Sequence, residues 1–107
     1  VVNVVSEEIG AAMNETAAPC ERVLAPRVVE SPASLECRLL EIRQFGDPAD
    51  GASVVFGEIV LFHIRDDLFD ADGSVDVLNL RPLGRLRGSL YCRTTDHLSY
   101  TRPSAGG

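Results

Sequence analysis

Lysine and tryptophan are both missing from this chain of 107 residues, and all ten of its cations are arginine. An all-arginine set is read as compositional bias of the source rather than ten separate demands for guanidinium chemistry. Sixteen acidic residues outnumber the ten arginines, for a net charge of −6. That balance excludes a nucleic-acid backbone as the expected partner, because such binding needs clustered cations. Long apolar runs are also missing. The longest, Ile59–Ile64, contains His63 and falls far short of the roughly 20 residues that span a bilayer. Cysteine is scarce and odd in number: Cys20, Cys37 and Cys92 show no CxxC or Cys/His spacing. This excludes a disulfide framework and a zinc site, and makes a reducing cytoplasm the expected compartment. Cys37 is expected to act as a small buried apolar group and Cys20 to be exposed. No His/Asn arrangement supports a catalytic thiol.

What is present is an ordinary globular composition, 45% hydrophobic and 24% charged, sized for one domain over residues 1–107. The chain opens without Met inside a β-branched run, Val1–Val5, which reads as a buried strand and as part of a longer protein. Ser6, followed by Glu7 and Glu8, has the character of a helix N-cap, predicting a short helix through about Met13 with Ile9, Ala12 and Met13 inward. Residues 14–32 hold Pro19, Pro26 and Pro32 and read as a connection, extended near Arg27. Ser34–Phe45 then alternates, with Leu35, Cys37 and Leu39 on one face and Glu36 and Arg38 on the other. The alternation slips at Leu40 and Ile42, which predicts a β-bulge or bend. Gly46–Gly51 is a turn by composition, leading into a second long strand, Ala52–Arg65. Its two faces, Val54/Phe56/Val60/Phe62/Ile64 and Val55/Gly57/Ile59/Leu61/His63, are both largely apolar. Cover on both sides is therefore expected, by a barrel interior on one and a helix or second subunit on the other. Gly57 marks a bend or a close approach. Val75–Leu80 reads as a helical turn, Leu86–Arg93 as a last strand, and residues 94–107 as a polar tail.

Few residues carry chemistry on spacing alone. Asp70-Ala-Asp72-Gly73 resembles part of an EF-hand loop, but alignment on Gly73 puts Leu68 and Asn79 at the first and last ligand positions, so the calcium reading fails. His63 is a lone histidine, with a structural reading favoured over a catalytic one. Glu58 on an apolar face needs a partner if buried, for which Arg38 or Arg43 would serve. Arg81, Arg85 and Arg87 with Gly84 and Gly88 form the one dense cationic cluster. It reads either as an anion-recognition motif or as a turn neutralising the acidic Asp66–Asp76 stretch. Asn3 is a polar residue in a β-branched strand, able to bond a ligand or to tie neighbouring loops.

Four segments in order resemble the flavin reductase-like family. They are Val1-Val-Asn-Val-Val-Ser-Glu-Glu8 with Ala12-Met-Asn14, Glu30-Ser-Pro-Ala-Ser-Leu-Glu-Cys37, Phe56-Gly-Glu-Ile-Val60 with His63, and Leu80-Arg-Pro-Leu-Gly-Arg85 to Tyr91. The resemblance covers the family's C-terminal half. Its front half is missing, the stretch from Pro19 to Arg27 is shorter, and Arg87 replaces a usual glycine. It implies a mainly β fold with short helices, an incomplete split barrel that binds FMN at a homodimer interface. It further implies hydride transfer from NADH or NADPH to the flavin or a small acceptor, with a monooxygenase as a possible partner. By position it assigns Asn3 and Ser6 to flavin-side contacts, Arg85 and Tyr91 to the cleft near the ring or nicotinamide, and His63 as a weaker member. No catalytic acid or base and no metal is implied. The alternatives are a non-catalytic flavin- or anion-binding module and a structural dimerisation domain.

Overall fold

The computed structural model describes residues 1–6 and 16–105. The expected helix from Ser6 through Met13, with Asn14, lies outside the described residues except for Ser6 itself.

The alternating segments form one long antiparallel hairpin, β4 (Ala33–Phe45) and β5 (Ala52–Ile64). Its bounds match the sequence reading to within a residue. Short β1 (Val2–Asn3) flanks β4, giving the order β1-β4-β5. β2 (Ala17–Ala18) pairs with β3 (Arg27–Val28), the extended stretch expected near Arg27. A 3-10 turn (Asp66–Leu68) and helix α1 (Val77–Leu80) precede a second hairpin, β6 (Leu83–Arg85) with β7 (Tyr91–Arg93).

The β4–β5 register slips twice. Leu39 pairs with Gly57 and Glu41 with Phe56, so Leu40 is the extra residue of a bulge, where the alternation in sequence broke. Glu36 pairs with Leu61 and Cys37 with Ile59, which makes Val60 a second bulge. The second slip corrects the expected faces of β5. Because the pleat inverts across Val60, Leu61 and His63 share a face with Val54, Phe56 and Glu58, and Phe62 and Ile64 join Val55, Gly57 and Ile59. The close approach expected at Gly57 is present: a Cβ there would lie 3.2 Å from the Cys37 Cβ.

Local chemistry closes the turns. At the hairpin tip, a Cβ on Gly51 would sit 2.2 Å from the Phe45 carbonyl oxygen and 2.5 Å from that of Asp47. Asp76 caps α1 by accepting from the Asn79 N–H, and Arg81 ends it in the left-handed region at φ 49°. The acids of the preceding turn are occupied locally. The Ser74 hydroxyl donates to Asp72 and Asp70, the Ser74 N–H donates to Asp72, and the Asn79 amide donates to Asp76.

Enclosure is concentrated at the base of the long hairpin. Ala33, Ser34, Glu36, Ser6 and Leu68 are buried there, and the first four surround β1 and the start of β4. The rest of the sheet does not close on itself. The radius of gyration is 17.1 Å, against roughly 13 Å for a compact chain of this size. The distal arm leaves Leu39, Leu40, Ile42, Val55 and Phe56 exposed, so the described residues of the chain itself do not supply the cover expected over β5. Val2 and Val5 are also exposed, so the opening run is not the buried strand its β-branched residues predicted. Cys37, on the open face, is half-exposed rather than buried, and Cys20 is half-buried rather than exposed.

Candidate functional site

The register lines up three chemistry-bearing residues across the base of the sheet: Asn3 opposite Ser34, and Ser34 opposite His63. Asn3 Oδ1 accepts from the Ser34 hydroxyl at 2.9 Å and from the Val28 N–H at 3.0 Å. Its carbonyl thus ties β1 to β4 and to β3, which is the structural role open to it in sequence.

The next residue of that face is Glu36, set by the sequence pattern on the face opposite Leu35, Cys37 and Leu39. It is wholly enclosed. The loop after β2 folds back over it and points three successive backbone N–H groups at the carboxylate: Glu21 at 3.1 Å, Arg22 at 2.7 Å and Val23 at 3.2 Å. His63 Nε2 closes the fourth side. Burial by itself would raise the Glu36 carboxyl. The hydrogen bonds from His63, Arg22 and Glu21 outweigh that effect and hold it at about 2, below the ordinary 4.5. An ionised carboxylate only accepts, so the His63 proton in this contact sits on Nε2. Burial first, and the Glu36 charge second, push the Cys20 thiol above its ordinary value, so Cys20 remains a thiol rather than a nucleophilic thiolate.

A second group forms around β6–β7. Ser6, buried at 3% exposure, bridges to Pro82, and the Leu83 N–H donates to the Val5 carbonyl at 2.7 Å. The run from Asn3 to Ser6 therefore joins the Asn3/His63 row to the second hairpin. On that hairpin Arg85 and Tyr91 are direct cross-strand partners and both are exposed. The Arg85 guanidinium donates to the Gly88 carbonyl at 3.4 Å. Gly84 lets the strands approach, since a Cβ there would lie 2.7 Å from the Cys92 Sγ. Glu58, for its part, is exposed directly across from Arg38, while Arg43 pairs with Glu41 at 3.0 Å.

Next to the row, a cleft of about 550 Å³ opens between the Arg27–Pro32 segment and the end of β5. Arg27, Ser31 and Arg65 line it with His63. Reading the residues singly missed Glu36, Ser34, Arg27 and Ser31. Three of these, Ser31, Ser34 and Glu36, lie within the Glu30–Cys37 segment that carried the resemblance.

No family model matches the chain. It is 36% identical over 93 residues to an uncharacterized protein of Halalkalibacterium halodurans, covering 83% of this chain and 43% of that one. An uncharacterized Aquifex aeolicus protein is 33% identical over 110 residues, covering 87% of this chain and 54% of its own length. The chain thus spans about half the length of these curated relatives. Among solved structures, the Pseudomonas fluorescens 2-nitrobenzoate 2-nitroreductase superposes with a TM-score of 0.77 at 33% identity, over 99% of this chain and 61% of that one. Nitrilotriacetate monooxygenase component B of Bacillus cereus gives a TM-score of 0.75 at 21% identity, over 92% and 57%. A Shewanella frigidimarina protein with a split barrel domain, assigned as a flavin reductase, gives 0.74 at 21% identity, over 95% and 59%. The fold is therefore part of a flavin reductase-like split barrel, mainly β and not closed.

Proposed function

We propose that this chain is part of an FMN-binding reductase in which NADH or NADPH delivers hydride to the flavin, or through it to a small acceptor. The observation that carries the reading is the 33% identity and 0.77 TM-score to a nitroreductase over 99% of the chain. The residues present suit a flavin. Arg85 and Tyr91, exposed and paired across two strands, offer a cationic donor beside an aromatic plane. That combination suits a flat ring that gains negative charge on reduction. Asn3 and Ser6 hold the β1 run between that hairpin and the His63 row, so their role toward the flavin is to position its walls. FMN supplies the electron-accepting chemistry, and the chain binds, orients and shields it. No acid or base need act in hydride transfer itself.

A second copy of the chain over the exposed distal arm is part of this reading. Arg38 facing Glu58, and Glu41 beside Arg43, put both signs of charge among the exposed apolar residues, a pattern that can meet its own copy. Anaerobic addition of NADH and NADPH to the FMN-loaded protein tests the enzymatic part. Bleaching of the oxidised flavin band within seconds supports a reductase. A bound flavin that keeps its colour with both donors reduces the chain to a flavin-binding module.

A further inference from the structure

The cleft beside His63 contains an imbalance that the flavin reading does not use. Three carboxylates at or near it, among the described residues, have their own donors. Glu30 accepts from the Thr16 N–H at 2.9 Å, Glu36 holds three N–H groups and His63, and Asp67 accepts from Arg65 Nε at 2.6 Å. Two lining side chains have no such match: Arg27 Nε and Ser31 Oγ are buried and have no hydrogen-bond partner. Ser31 as a whole is 91% enclosed, its exposure being 9%. A buried guanidinium N–H without an acceptor is costly, and a buried hydroxyl without a partner adds to the cost, unless a ligand supplies oxygen atoms. Phe62 and Ile64 give the same cleft an apolar wall, with Phe62 exposed.

We propose that this cleft is an oxyanion-binding site, in which Arg27 and Ser31 hold the carboxylate or phosphate of a small ligand whose apolar body lies against Phe62 and Ile64. Guanidinium pairs well with either oxyanion because two of its N–H groups can engage two oxygens at once. The site stands independently of the flavin reading. It lies on the Arg27–Pro32 side of His63, whereas Arg85 and Tyr91 are on the second hairpin.

Benzoate and inorganic phosphate, titrated separately into the isotopically labelled full chain, test the proposal by amide chemical shifts. The expected result is saturable shifts confined to residues 27–31 and 63–65 with at least one probe. Benzoate alone identifies an organic carboxylate, and phosphate alone a phosphorylated ligand. Arg27→Gln should weaken binding roughly tenfold or more, since a charge-assisted hydrogen bond is lost. Ser31→Ala should weaken it severalfold, and Glu30→Gln should leave it unchanged or tighter. The wild-type shift map stands if Arg27→Gln proves unstable. No shifts in those two segments at 10-fold excess over millimolar protein (a range chosen to reveal weak sites), or full affinity in a folded Arg27→Gln variant, overturns the proposal.

Discussion

Glu36 is a charge held by backbone. Three consecutive N–H groups of the loop over it, with His63, replace the water it loses, and the carboxyl is held at about 2 rather than 4.5. A folded value below the unfolded one stabilises the native state fully above about pH 4.5, and the contribution is lost as pH falls through about 2. Glu36→Gln should therefore melt several degrees lower than the wild type at pH 7. The difference between the two proteins should shrink steadily as pH falls across that window. Thermal melts of both proteins at pH 7, 4 and 3 check this, and a constant offset at every pH would contradict it. The alternation placed Glu36 on the correct face, opposite Leu35 and Cys37, without marking it as buried. Strand alternation assigns faces but does not reveal that a proline-bounded connection, from Pro19 to Pro26, doubles back over one of them.

At the scale of elements, the long hairpin was the most legible feature. Its β-branched and alternating runs are long, and the turn between them is rich in glycine, proline and aspartate. The Leu40 bulge was also legible, because an apolar residue stood where alternation required a charge. The Val60 bulge was not. Residues 59–62 are all apolar, so a slip among them leaves no mark in the pattern, and the faces beyond it were assigned the wrong way round. The β6–β7 hairpin was read only in part, since Leu83–Arg85 is three residues with a central glycine, too short to show a strand pattern. The hairpin tip supplies its own test. Gly51 has no positive φ, but two backbone carbonyls stand 2.2 and 2.5 Å from where its Cβ would be, whereas Gly73 has φ +85° and open space around it. Gly51→Ala should cost about 2 kcal/mol or more, as overpacking against backbone. Gly73→Ala should cost about 1 kcal/mol, the left-handed penalty alone. Urea melts of the two variants rank them, and equal costs would mean that the tip relaxes without strain.

At the scale of the whole molecule, the described residues form a wall rather than a closed barrel. The enclosed positions Ser6, Ser34 and Glu36 are polar, the distal arm is apolar and open, and the molecule is extended for its length. The chain covers 57–61% of the solved structures it resembles, so about two fifths of each of those chains has no counterpart in it. Among the described residues no helix is long and apolar enough to cross a membrane. The most direct test of the account is sedimentation velocity of the protein with FMN, followed at the flavin absorbance. The account predicts that flavin co-sediments with a species of twice the 11.5 kDa chain mass. Flavin that stays at the meniscus while a folded protein sediments would contradict the flavin-binding claim.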